Sequence, residues 1–149
     1  SPDQEETIRS FPHPGCVLLK PPVSRREAVM LCRRAHLLLL LQIEMKLNGR
    51  DFCTAVPGKL FDYLRSGTRI LAPMQHSDSQ RIIEELGAGT VVPPRDTQAI
   101  KTALLDEIRQ WQTGDRRRRE LSKDLSIYDR RNLTARLAEV LTEAARAGH

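Results

Sequence analysis

Apolar and polar residues alternate in blocks along this chain, and the sharpest block is Leu37-Leu38-Leu39-Leu40-Leu41 between His36 and Gln42. Five apolar residues bounded by polar ones suit a strand buried on both faces, the pattern of a central strand in a parallel sheet. A helix shares that local pattern, but the short length favours a strand. Cys16 to Lys20 is a second apolar run and a candidate strand, closed by Pro21-Pro22, which cannot donate to a ladder. Arg69 to Ala72 and Thr90 to Val92 are two more candidate strands.

Between these runs the apolar positions take a helical period. Ser24-Arg25-Arg26-Glu27 reads as a capping box that opens a helix from Arg25 to Arg34, with Ala28, Leu31 and Cys32 on its inner stripe. Residues 43–55 read as a loop with an Asn48-Gly49 turn signal. Pro57 or Gly58 opens the next helix, and Gly67 stops it in the manner of a left-handed cap. Ser77 to Gln80 reads as a second capping box, before a helix carrying Ile82, Ile83 and Leu86 and ending at Gly87. Asp96 caps a helix over 97–112, with Ile100, Leu104, Leu105, Ile108 and Trp111 on one side. Gly114 breaks it. A short charged helix over 116–125 follows, then a last helix whose Leu133, Leu137, Val140 and Leu141 are expected to face inward.

The predicted order is β-α-β-α-β-α-β-α-α-α. Strands alternating with helices predict an α/β fold with a doubly wound parallel sheet. A length of 149 residues suits one domain with a real core. We divide it into a lead-in over 1–14, a doubly wound α/β segment over 15–112 and C-terminal helices over 113–149.

Composition narrows the chemistry only a little. The net charge of +5 is compatible with nucleotides, nucleic acid or acidic lipid head groups. Arg116 to Arg119 supply much of the excess, and a solvated helix face is the commoner use of such a run. No aromatic interleaving supports a single-strand nucleic-acid surface. Cys16, Cys32 and Cys53 are widely spaced and show no ligand spacing, so free thiols in a reducing compartment are expected, with no metal. The leucine run is too short to span a bilayer, and no signal peptide is visible. A cytoplasmic chain is expected, and the basic excess adds a peripheral position at the inner membrane face as an alternative. The first residue is Ser1 rather than Met, as in a fragment or processed chain.

The helix that opens at Pro57-Gly58 draws the functional reading. A helix starting beyond the carboxyl end of a strand presents free N–H groups and partial positive charge to an anion. Lys59 and Asp62 sit close to that start. One reading puts Lys59 near a diphosphate and Asp62 on ribose hydroxyls, since a carboxylate accepts two hydrogen bonds from a vicinal diol. The other makes both ordinary first-turn surface residues. Pro57 and Gly58 permit close backbone approach, or simply punctuate loop and helix. The segment is neither GxxxxGK[ST] nor GxGxxG. His36 reads as structural, and His76 and Asp78-Ser79 as loop and capping residues that could meet a ligand. Glu44 and Asp51 are the carboxylates of the loop after the leucine strand.

The segments RRAHLLLLL, VPGKLFDYLRSGTRILA and IIEELGAGTVVPPRD together resemble the C-terminal domain of GT-B glycosyltransferases of the group 1 type, over roughly residues 15–110. The resemblance implies a Rossmann-like half of a GT-B fold, truncated, that binds a nucleotide diphosphate sugar. The acceptor would sit on an absent N-terminal domain of the same enzyme; the basic excess, not the resemblance, points to a membrane-surface or lipid-linked one. Asp62 matches the acidic position that meets the donor ribose. Thr54 stands where many relatives carry a second acidic residue on the donor sugar, so the paired signature is absent, and Asp51 is a substitute candidate. The implied donor-binding set is Thr54, Pro57, Gly58, Lys59 and Asp62. No catalytic residue is assigned, and no cofactor or metal beyond the donor is expected. The fragment alone is expected to be inactive. A non-catalytic nucleotide-sugar-binding module or subunit, and a GT-B nucleotide-sugar epimerase, are the alternative readings.

Overall fold

Local signals set most element boundaries. The structure, a computed structural model, describes residues 6, 10, 14–42, 45–47, 50–52, 56–113 and 124–147. Helix α1 spans Arg25–Arg34. Its capping box is complete: the Glu27 N–H donates to Ser24 Oγ at 3.3 Å and the Ser24 N–H donates to Glu27 Oε2 at 2.9 Å. Strand β1 is Leu37–Leu39. Strands β2 (Met45–Leu47) and β3 (Arg50–Phe52) follow, then α2 (Gly58–Ser66) and β4 (Arg69–Pro73). Helix α3 (Asp78–Glu85), β5 (Gly89–Val92), α4 (Thr97–Gln112) and α5 (Arg130–Ala147) complete the order. A 3-10 turn, Leu125–Tyr128, precedes α5.

Glycine ends two helices as expected. Gly67 has φ 69° after α2 and Gly87 has φ 60° after α3, a left-handed backbone that glycine adopts without a Cβ penalty. Asp96 caps α4 through the Ala99 N–H at 2.8 Å. The box at Ser77 is only half made. Ser77 Oγ accepts from the Gln80 N–H at 3.2 Å, while the Gln80 side chain donates to Glu84 at 2.9 Å instead of reaching back.

Three strands form a parallel sheet in the order β1-β4-β5. Ile70 and Ala72 of β4, with Met74 just after it, meet Leu60 and Leu64 of α2, Ile82 and Ile83 of α3 and its C-cap Leu86 in one buried cluster. Strand residues alternate between faces, so Leu71, also fully buried, looks toward the other layer, where α4 packs on β4 and β5. The Arg69 guanidinium clamps that layer, with Nη2 and Nε at 2.6 and 2.7 Å from Glu107 Oε1.

Four expectations are corrected. First, the leucine strand is not central among the described strands. It lies at one end of the sheet, and Leu38 and Leu40 are buried while Leu39 and Leu41 are 50% and 57% exposed. An all-leucine run hides which of its faces is bare. Second, Cys16 to Lys20 forms no strand. Pro14–Cys16 is a 3-10 turn, and Val17, Leu18 and Leu19 are exposed without a sheet neighbour among the described residues. The doubly wound sheet is therefore three described strands deep, not four. Third, the expected loop over 43–55 contains an antiparallel pair, β2 with β3, whose connecting residues are the Asn48-Gly49 dipeptide favoured in two-residue hairpins. Fourth, Leu133, Leu137, Val140 and Leu141 of α5 do not face inward: they are 45–60% exposed. A helical period shows that an apolar face exists, not what covers it. The charged helix expected over 116–125 lies almost wholly outside the described residues.

Candidate functional site

Helix α2 is held by its apolar side. Leu60 and Leu64 are buried in the central cluster, and Val56 and Phe61 pack against it. Phe61 also meets Tyr128 of the 3-10 turn, with ring centroids 5.6 Å apart. Only Gly67 and Thr68 separate α2 from β4. A crossover helix runs back along the sheet, so its first turn lies beyond the carboxyl ends of the strands, where open α/β sheets take ligands.

That first turn differs from its neighbours. Ser24, Ser77 and Asp96 cap α1, α3 and α4 with side-chain oxygens, whereas Pro57 precedes α2 with no side-chain cap and no acidic residue follows in the first turn. A Cβ added at Gly58 would meet nothing within 4 Å. The backbone there faces open space, and Gly58 is not required by internal packing. Lys59 is exposed and Asp62 is partly so.

Asp62 turns toward α1. Its carboxylate lies 3.8 Å from Nη2 of Arg25, and both side chains are well exposed, at 41% and 86%. Such a pair is worth about 0–1 kcal/mol, so the carboxylate is only loosely engaged. Arg25 adds a cation beside Asp62. No local sequence pattern signals it, because α1 and α2 meet only in the folded chain. Cys32 is on the same helix pair. Burial pushes its thiol above the usual range, and the Asp62 carboxylate adds to the rise. Burial likewise raises the Tyr63 phenol, with Cys32 contributing.

Two concavities flank the sheet. One, about 480 Å³, lies at the carboxyl ends of β4 and β5 and is lined by His76, Gln80, Val91 and Pro93 among others. His76 therefore does border a cleft on the ligand side of the sheet. The other, about 450 Å³, lies at the opposite ends of β1 and β4, against α4. Neither is lined by Pro57, Gly58, Lys59 or Asp62. These four residues sit together at the start of α2, away from both of these clefts, with open space beside Gly58. Thr54 lies outside the described residues, as do Glu44, Cys53, His13 and the arginines 116–119, and of Asp51 only the backbone is described.

Ser79 does not face a ligand. It is completely buried in the first turn of α3, and its hydroxyl has no hydrogen-bond partner among the described residues. Ser79→Ala removes an unsatisfied buried group, so it should leave stability unchanged or raise it by up to about 1 kcal/mol. Urea denaturation checks this, and a loss above about 1 kcal/mol would reveal a hydroxyl contact that matters.

Among the described residues no group of three His, Cys, Asp or Glu could hold a metal ion, and no helix is long and apolar enough to cross a membrane. Three parallel strands with crossing helices make this an α/β chain compatible with one half of a Rossmann-like unit. In comparisons with protein-family models, curated proteins and solved structures, nothing matches this chain.

Proposed function

We propose that this chain is the donor-binding part of a GT-B glycosyltransferase, holding a nucleotide diphosphate sugar while an N-terminal domain of the same enzyme holds the acceptor. The observation that carries the reading is the first turn of α2: uncapped by a side chain, open at Gly58, and followed by Lys59 and Asp62. The diphosphate meets the helix N-terminus and Lys59, with Arg25 close by. Asp62 accepts hydrogen bonds from the ribose diol. Transfer is displacement at the anomeric carbon, with the nucleoside diphosphate leaving. Positive groups fixed at that turn stabilise the charge that develops on the leaving oxygen. Residues that act on the acceptor are not assigned to this chain, and the donor is a substrate rather than a cofactor.

Asp62→Ala should weaken UDP or GDP binding by about 1–3 kcal/mol, the scale of a hydrogen bond to a charged group. The loss of the exposed Arg25 pair costs folding little, so a drop in affinity reports the ligand contact. Isothermal titration calorimetry measures it, and an unchanged dissociation constant for both nucleotides would remove the ribose role.

A further inference from the structure

The cleft at the amino ends of β1 and β4 lies at the other edge of the sheet from the α2 turn and plays no part in the proposed donor site. We infer that it binds a small organic anion that carries an aromatic ring. Its volume, about 450 Å³, falls within the range of small-molecule sites. Its walls are of two kinds. Leu104, Ile108 and Trp111 of α4 form an apolar side, and all three are 40–48% exposed. Arg33 and Arg34 at the end of α1 form a cationic side.

The charges decide the sign of the ligand. Arg69 and Glu107 also line the cleft, but they are bonded to one another and largely cancel. Arg33 and Arg34 have no carboxylate partner among the described residues. The helix ends work the other way, since α1 and α2 finish here and helix carboxyl ends favour cations. Part of that effect is already spent: Thr68 Oγ1 donates to the Cys32 carbonyl at 2.7 Å, and the Gly67 N–H donates to the Leu64 carbonyl at 3.2 Å. Two full charges on guanidinium groups unpaired among the described residues outweigh what remains. Guanidinium matches carboxylate or phosphate with paired hydrogen bonds.

The aromatic preference comes from Trp111. His36 meets it edge to face, with ring centroids 5.4 Å apart and planes at 70°. That contact fixes the indole while leaving much of it open to the cleft. A planar ring stacked there covers apolar surface that now faces water, while its acidic group reaches Arg33 and Arg34.

Trp111 is the single tryptophan of the chain, so its fluorescence reports this cleft alone. The probe is phenyl phosphate, compared with inorganic phosphate, benzyl alcohol and phenyltrimethylammonium. Phenyl phosphate should change the Trp111 emission saturably and bind about tenfold or more tighter than any of the other three, because only it engages both walls. Arg33→Gln/Arg34→Gln should weaken phenyl phosphate about tenfold and leave benzyl alcohol unchanged. These arginines are exposed, and a far-ultraviolet circular dichroism spectrum equal to the parent's confirms that the variant is folded. No saturable response, an equal response to phenyltrimethylammonium, or full affinity in the double variant would each overturn the inference.

Discussion

Leu60→Ala should lower the free energy of unfolding by about 2–5 kcal/mol, the usual cost of deleting a fully buried leucine side chain. Leu60 has no exposed surface and sits in the cluster that joins α2, α3 and β4. A domain of this size has about 5–15 kcal/mol in total, so the change removes a large share. It also has a functional side. Leu60 directly follows Lys59 in the first turn of α2, so its anchoring fixes the backbone that we assign to the diphosphate. Urea denaturation should show a lower midpoint with an unchanged slope. A loss below about 1 kcal/mol would mean that α2 does not rest on this side chain as described.

Gly89→Ala is expected to be nearly as damaging, for a different reason. A Cβ on Gly89 would lie 1.9 Å from the carbonyl oxygen of Ile70 and 2.7 Å from its carbonyl carbon. Gly89 pairs with Ile70 where β5 begins. The obstructing atoms are backbone of β4, so no side-chain rotation relieves the clash, and the ladder must part. Overpacking costs about 1–3 kcal/mol, and more where the backbone cannot yield. Thermal unfolding should move down accordingly, and the amides of β4 and β5 should lose hydrogen-exchange protection ahead of the α2 amides. A melting curve within error of the parent would show that the two strands do not approach so closely.

How far the sequence discloses this structure depends on how far apart the interacting residues are. The Ser24–Glu27 box, the Gly67 and Gly87 stops and the Asp96 cap each lie within one turn of backbone, and all were legible. Strand order was not. The leucine run announces a strand, but five identical residues cannot say that Leu39 and Leu41 face solvent or that no further strand lies beside them among the described residues. Cys16 to Lys20 has the composition of a strand and finds no partner. The Asn48-Gly49 signal pointed to a turn, and taking it with the residues on either side would have suggested the β2–β3 hairpin. Gly89 stands in the sequence only as one residue of the segment IIEELGAGTVVPPRD, because its close approach to Ile70 is a property of the pairing.

The same limit applies to the candidate site. Pro57, Gly58, Lys59 and Asp62 were legible as a helix start because they are contiguous, and the structure keeps them together at the start of α2. Arg25 joins them from another helix, and Arg33, Arg34, His36 and Trp111 converge on the opposite edge from α1, the turn after it and α4. No local pattern signals either convergence. The apolar residues of α5 do form a stripe, but the stripe is exposed rather than an inner face, since amphipathicity specifies a face without naming its cover.

The central claim is that the α2 turn receives a nucleoside diphosphate, and amide NMR of the chain titrated with UDP and with GDP tests it most directly. The account predicts saturable shifts centred on Gly58, Lys59 and Asp62 for at least one of the two nucleotides, with Arg25 moving alongside. Shifts confined to other regions, such as the cleft at Trp111 or the rim at His76, or no shifts at all, would contradict it.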